Sequence, residues 1–295
     1  KDSKYLDQVE KDYITSQPYQ HSVLKPLCEP DFLKKVHDEI TVNMKANFKE
    51  TDLFKVFQTA ELGSIEEETL EKEMPSLLKL RKVLYSKEWR QIVSKMMNCN
   101  EELGEILTDR VDCSINAYAN SCHLLCHDDV IGTRCVSYII YLPNPDEEWK
   151  AEDGGAVELY PLDPASIVTT DVPYTKQNSD STTTTVTVHQ EQGIPVTNPT
   201  NCLLPTFNSM LIFKVKPGKS YHSVQEVFNK SSPRLSISGW YHASQPPIGS
   251  DSSSLKLIMK YGDEQQQSIQ PLPTTTPSTG EDNLFNEEEK TFLKK

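Results

Sequence analysis

From residue 111 onward the chain falls into short β-branched and aromatic runs separated by turn residues, and this pattern restricts the fold more than any other. Val111 to Ala119, Arg134 to Leu142, Ala156 to Tyr160, Ser209 to Val215, Ser220 to Phe228 and Arg234 to His242 all have strand length. No helical periodicity separates one run from the next, which argues against βαβ alternation and a doubly wound parallel sheet. An antiparallel sandwich or barrel remains. Helices come first: after Pro30, Phe32, Leu33, Val36 and Ile40 recur at helical spacing. A second helical stretch opens at Pro75 and runs through Leu77, Leu80 and Leu84 to Trp89, Val93 and Met97. Helices followed by strands make an α+β chain, and a double-sheet jelly roll buttressed by N-terminal helices fits best.

The expected divisions follow. Residues 1–30 read as an N-terminal arm, 31–245 as the folded domain with its helices in 31–100, and 246–295 as a polar linker towards a further C-terminal domain. Within the domain, residues 168–200 hold the Thr182 to Thr185 run and three prolines with little apolar periodicity, so a long, mobile, solvated insertion is expected. An apolar patch at Leu255 to Met259 interrupts the linker.

Of the 295 residues, 36% are apolar, enough for one substantial core. The formal net charge of -13 has the wrong sign for gripping nucleic acid through its phosphates, and no apolar run approaches the length of a membrane span. Neither partner is expected. Seven cysteines, an odd number, suit free thiols in a cytoplasmic or nuclear protein, and a monomer is expected. The charge is uneven: residues 101–165 carry 14 acidic against 3 basic side chains.

The sharpest local feature is His127-Asp128-Asp129, followed by His222 on a later strand and Arg234 beyond it. Two imidazoles and a carboxylate make the facial triad of non-haem Fe(II) oxygenases, which leaves coordination sites open. Residues i and i+2 of an extended segment share a side, so His127 and Asp129 are expected to meet one ion while Asp128 points away. Arg234 offers a planar guanidinium for the far carboxylate of a 2-oxo dicarboxylic acid, and Ser236 points to the same side. A zinc site built from Cys122, His123, Cys126 and His127 competes for His127. It lacks a second Cys or His pair at finger-like spacing and ranks far below the iron reading.

The segments HLLCHDD, YIIYL, GGAVELY, SMLIFKV, SYHSVQEV and RLSISGWYH, with DLFKVFQTAEL and LLKLRKVLY before them, resemble the catalytic domain of the ribosomal prolyl hydroxylases, a family of 2-oxoglutarate-dependent oxygenases. The resemblance runs from Tyr19 to His242 apart from the insertion. It implies a double-stranded β-helix of jelly-roll type, with His127, Asp129 and His222 binding Fe(II) and Arg234 binding the distal carboxylate of 2-oxoglutarate. By the same likeness Tyr141 donates to that carboxylate, Tyr118 and Ser236 line the cosubstrate pocket, Trp240 stands near the substrate-side wall, and ascorbate serves as reductant.

The implied reaction hydroxylates a proline of a small-subunit ribosomal protein at the decoding centre, giving hydroxyproline, succinate and CO2. An oxygenase acting on another protein or on a small molecule, and a regulatory protein-binding jelly roll, are the competing readings. The acidic segment, with Asp146, Glu147, Glu148, Glu152 and Asp153, is expected to rim the site and steer a basic ribosomal substrate.

Overall fold

The computed structural model describes residues 3–100, 103–177 and 182–250. Helices α1 (Ser3–Thr15), α2 (Pro30–Asn43), α3 (Glu67–Glu73), α4 (Pro75–Leu84) and α5 (Lys87–Met96) precede most of the strands. Pro30 and Pro75 occupy the first turns of α2 and α4, where a missing N–H costs nothing. Glu39 of α2 accepts the N–H groups of Ser76 and Leu77 at 2.9 Å, so a carboxylate from one helix caps the next. The stretch from Pro75 to Met97 is two helices because the Ser86 hydroxyl accepts the Trp89 N–H and starts a new one.

Strands β1 (His21–Leu24), β2 (Asn47–Glu50), β3 (Phe54–Gln58), β4 (Leu107–Tyr118), β5 (His123–His127), β6 (Arg134–Tyr141), β7 (Val157–Leu159), β8 (Val168–Gln177), β9 (Thr183–Gln192), β10 (Asn201–Leu203), β11 (Ser209–Lys214), β12 (His222–Val224) and β13 (Arg234–Ala243) complete the order. Strands β11, β6, β13 and β4 lie side by side, as do β5, β12, β7 and β10. Every pairing is antiparallel, and β3 joins the two layers by pairing with both β4 and β5. This is the expected jelly roll.

Side-chain alternation gives the larger layer two different faces. Leu235, Ile237 and Tyr241 of β13, with Cys113, Ile115 and Ala117 of β4 and Val136, Tyr138 and Ile140 of β6, pack against Leu33, Val36 and Ile40 of α2 and the other helices. The intervening residues face the interior between the layers, where Tyr118, Tyr141, Leu211 and Phe213 form a second cluster. The expected buttress is therefore the cover of one face.

Two segments depart from expectation. In the N-terminal arm, α1 packs into the helix-side core, and β1 extends the larger layer, His21 opposite Phe213. Strand β1 is short, with only one exposed side chain, so it lacks the run length that marks a strand in sequence. Residues 168–200 hold a regular hairpin, β8 paired with β9 from Val168 opposite Gln192 to Gln177 opposite Thr183. Its β-branched Thr and Val residues favour extended backbone, but most of its described side chains lie in water, which hides the strand from any apolar pattern. Gln190 holds its base by donating to the Ile248 carbonyl at 2.6 Å. Most of the expected linker, with the patch at Leu255 to Met259, lies outside the described residues.

Candidate active site

His127 ends β5 and His222 opens β12 directly opposite it, with the imidazole centroids 4.3 Å apart. Each ring donates its Nδ1 proton to the carbonyl two residues earlier, His127 to Leu125 at 2.8 Å and His222 to Ser220 at 2.9 Å. A carbonyl only accepts, so both Nε2 lone pairs point inward. There Asp129 presents Oδ1 3.1 Å from His127 Nε2 and Oδ2 3.4 Å from His222 Nε2. The three ligand atoms lie within 4.8 Å of one another, and all three residues are buried. Lone pairs and a carboxylate converging in a dry space need a cation among them, and two imidazoles with one carboxylate suit Fe(II).

Asp129 does not arrive by strand alternation. Strand β5 ends at His127, and Asp129 adopts a left-handed backbone with φ 64°, which turns its carboxylate back towards the imidazoles. Ser137 of β6 donates to Asp129 Oδ2 at 2.9 Å and fixes that orientation. Asp128 points away as expected but is fully buried, accepting the Gly218 N–H at 3.0 Å. Ser220 donates to the Asp128 carbonyl at 3.1 Å, so Asp128 ties the loop bearing one ligand to the turn that leads to His222. Among the described residues no other group of histidine, cysteine, aspartate or glutamate has metal-ligand geometry, so the zinc alternative has no site. None of the seven cysteines forms a disulfide.

Further into the same interior, Arg234 of β13 stands opposite Tyr118 of β4, and Ser236 stands opposite Tyr141 of β6. The Arg234 guanidinium lies 5.0 Å from the Tyr118 ring centroid and 5.1 Å from that of Tyr141. It is 1% exposed, its Nε and Nη2 have no hydrogen-bond partner, and Nη1 makes only a 3.5 Å contact to the Ser236 hydroxyl. The Tyr141 hydroxyl is likewise buried without a partner. Burial pushes the Tyr141 phenol up to about 12, against the pull of Arg234, so it stays a proton donor. A buried guanidinium with no counter-charge is costly, and a carboxylate held by Arg234 and Tyr141 would satisfy both. The chamber therefore fits the distal carboxylate of 2-oxoglutarate, with Tyr118 and Ser236 as its walls. Gly155 makes this possible: a Cβ there would come within 2.9 Å of the Arg234 stem.

Trp240, on the same face of β13, stands opposite Ser137, so it lies beside Asp129 at the end of the interior away from Arg234. The Arg134 guanidinium stacks over its indole at 3.3 Å, and the indole N–H is buried without a partner. The acidic loop is at the opposite end. Glu147 accepts from Ser232 at 3.0 Å, Asp153 accepts from Asn229 at 3.0 Å, and Asp146 pairs with Lys34 at 3.3 Å. Glu147 and Asp153 thus brace the loop that leads to Gly155 beside the Arg234 stem. Three residues at the site escaped the sequence reading: Ser137, Arg134 and Tyr19. Ser137 was open to detection, since it shares a strand face with Tyr141 at alternating spacing.

Residues 113–242 match the family model described as the 2OG-Fe(II) oxygenase superfamily. The chain is 37% identical over 248 residues to "Prolyl 3,4-dihydroxylase OGFOD1" of Ostreococcus tauri, covering 83% of this chain and 42% of that protein. It is 30% identical over 242 residues to "Prolyl 3-hydroxylase OGFOD1" of Xenopus laevis, covering 81% of this chain and 38% of that protein. The chain thus spans about two fifths of the length of these curated relatives. A prolyl-4-hydroxylase structure from Pseudomonas putida superposes with a TM-score of 0.50 at 16% identity, covering 81% of this chain and 98% of that one, a likeness of fold. The matched segment contains every strand-borne residue of the triad and of the Arg234 cradle, and residues 113–242 form a domain of the 2OG-Fe(II) oxygenase superfamily.

Proposed function

We propose that this chain hydroxylates prolyl residues of a protein substrate, using Fe(II) and 2-oxoglutarate. The observation that carries the reading is the buried, unpaired Arg234 guanidinium facing the same interior as the His127, Asp129 and His222 cluster. A binding module without catalysis has no use for such a charge. When bound, the iron and the 2-oxo acid supply the dioxygen chemistry that converts a C–H bond to C–OH while the cosubstrate becomes succinate and CO2.

The chain's own residues do the rest. His127, Asp129 and His222 hold the ion, and Ser137 occupies one oxygen of Asp129 so that the carboxylate keeps one orientation. Arg234 and Tyr141 bind the far carboxylate and set the distance of the 2-oxo acid from the metal. The wall of Leu211, Phe213 and Val157 excludes water from the oxidising centre. On the other side of Asp129, the Arg134 and Trp240 stack offers a flat surface for a pyrrolidine ring.

The finer reading places the target proline in a basic loop of a small-subunit ribosomal protein, in a reducing compartment, cytoplasmic or nuclear. The resemblance to ribosomal prolyl hydroxylases supports the substrate, and seven cysteines without a disulfide support the compartment. The relatives' names share hydroxylation at position 3, so C-3 is the favoured carbon. Incubation with Fe(II), ascorbate, 2-oxoglutarate and ribosomal loop peptides tests this. The expected result is a gain of one oxygen on a proline with matching succinate. Turnover without modification of any proline peptide overturns the substrate class, and absence of 2-oxoglutarate turnover overturns the activity.

A further inference from the structure

Tyr19 lies in the short link between α1 and β1, far in sequence from any motif, yet its side chain enters the interior beside the iron ligands. Its ring meets Phe213 edge-on at 5.8 Å, and Phe213 in turn stands edge-on to the His222 imidazole at 4.9 Å. It is 4% exposed, and its hydroxyl has no hydrogen-bond partner. The link is pinned: Asn201 donates to the Gln17 carbonyl at 2.6 Å, and the Ser16 hydroxyl accepts the His21 N–H at 2.7 Å. Burial, together with the nearby charge of Asp129, pushes the phenol well above its ordinary value and keeps it a donor. A buried hydroxyl without an acceptor costs stability, so a phenol where phenylalanine would pack as well points to an acceptor brought by a ligand.

We infer that Tyr19 donates a hydrogen bond to the bound 2-oxo acid from the iron-side wall, as a third group beside Arg234 and Tyr141. This rests on the proposed cosubstrate. It assigns the N-terminal segment a part of the binding site that lies outside the matched residues 113–242. The cosubstrate chamber is then complete only when β1 is docked on β11.

Tyr19→Phe separates this role from packing. Melting curves of the apo proteins are compared with calorimetric binding of 2-oxoglutarate to the Mn(II)-loaded proteins without oxygen. The variant is expected to melt at or above the wild-type temperature, having lost an unsatisfied group, while its 2-oxoglutarate affinity falls about 5- to 20-fold. In turnover, KM for 2-oxoglutarate rises with kcat little changed. Affinity within twofold of wild type overturns the inference, as does a lower apo melting temperature with unchanged affinity, which makes Tyr19 a packing residue. Failure of the wild-type protein to bind 2-oxoglutarate overturns the functional reading itself. Binding by wild type with no change in the variant overturns only Tyr19's part.

Discussion

The two faces of the larger sheet layer are built from alternate residues of the same strands, yet they obey opposite rules. On the helix side, Ile115, Ile140 and Ile237 are almost wholly buried in an apolar cluster. On the interior side, at intervening positions of the same strands, Tyr118, Tyr141 and Ser236 surround a guanidinium whose Nε and Nη2 have no partner. One face holds the domain together through burial, and the other keeps polar groups unsatisfied for ligands to complete. Substitutions should therefore act on stability or on binding according to whether a residue number along β13 is odd or even.

The largest effect is expected at the triad. His127→Ala or Asp129→Ala should lower Fe(II) affinity by well over about a hundredfold and abolish 2-oxoglutarate turnover, with little change in melting temperature. Metal titration and succinate release measure this, and retained iron-dependent turnover in either variant removes the assignment. Arg234 and Ile237, on opposite faces of β13, test the contrast directly. Arg234→Met should weaken 2-oxoglutarate binding by about 2 to 5 kcal/mol while the apo protein melts at the same or a higher temperature, since the lost charge had no partner. Ile237→Ala should destabilise by about 2 to 5 kcal/mol in denaturant melts, with the KM of the folded fraction unchanged. The reverse outcome for either variant breaks the two-face account. The smallest effect is expected at Ser137→Ala, about tenfold in iron affinity by titration, because it frees one oxygen of Asp129 without removing a ligand.

Much of the site was legible because its chemistry needs rare side chains. The His127-x-Asp129 spacing with His222 on a later strand supplied two imidazoles and a carboxylate, and Arg234 announced itself by falling on a strand just beyond His222. The route to the geometry was less visible. Extended alternation brings His127 and Asp129 to one side on paper, whereas the chain leaves β5 and uses a left-handed residue to do it. The acidic segment was visible as charge, but its place was not, since hydrogen bonds to Ser232 and Asn229 draw it to the Arg234 end. The hairpin of β8 and β9 was hidden because a strand pair with both faces in water has no apolar period to display.

By itself the sequence determined the helices-then-strands order, the strand faces and the candidate metal ligands, because local periodicity and donor chemistry are properties of residue types. Only the tertiary structure decided that Tyr19 packs on Phe213 beside His222 and that Ser137 donates to Asp129. It also decided that Arg134 lies on Trp240 and that Glu147 and Asp153 are tied to Ser232 and Asn229. Those relations join residues distant in sequence, and the pairing of strands into two layers alone brings them within reach of one another.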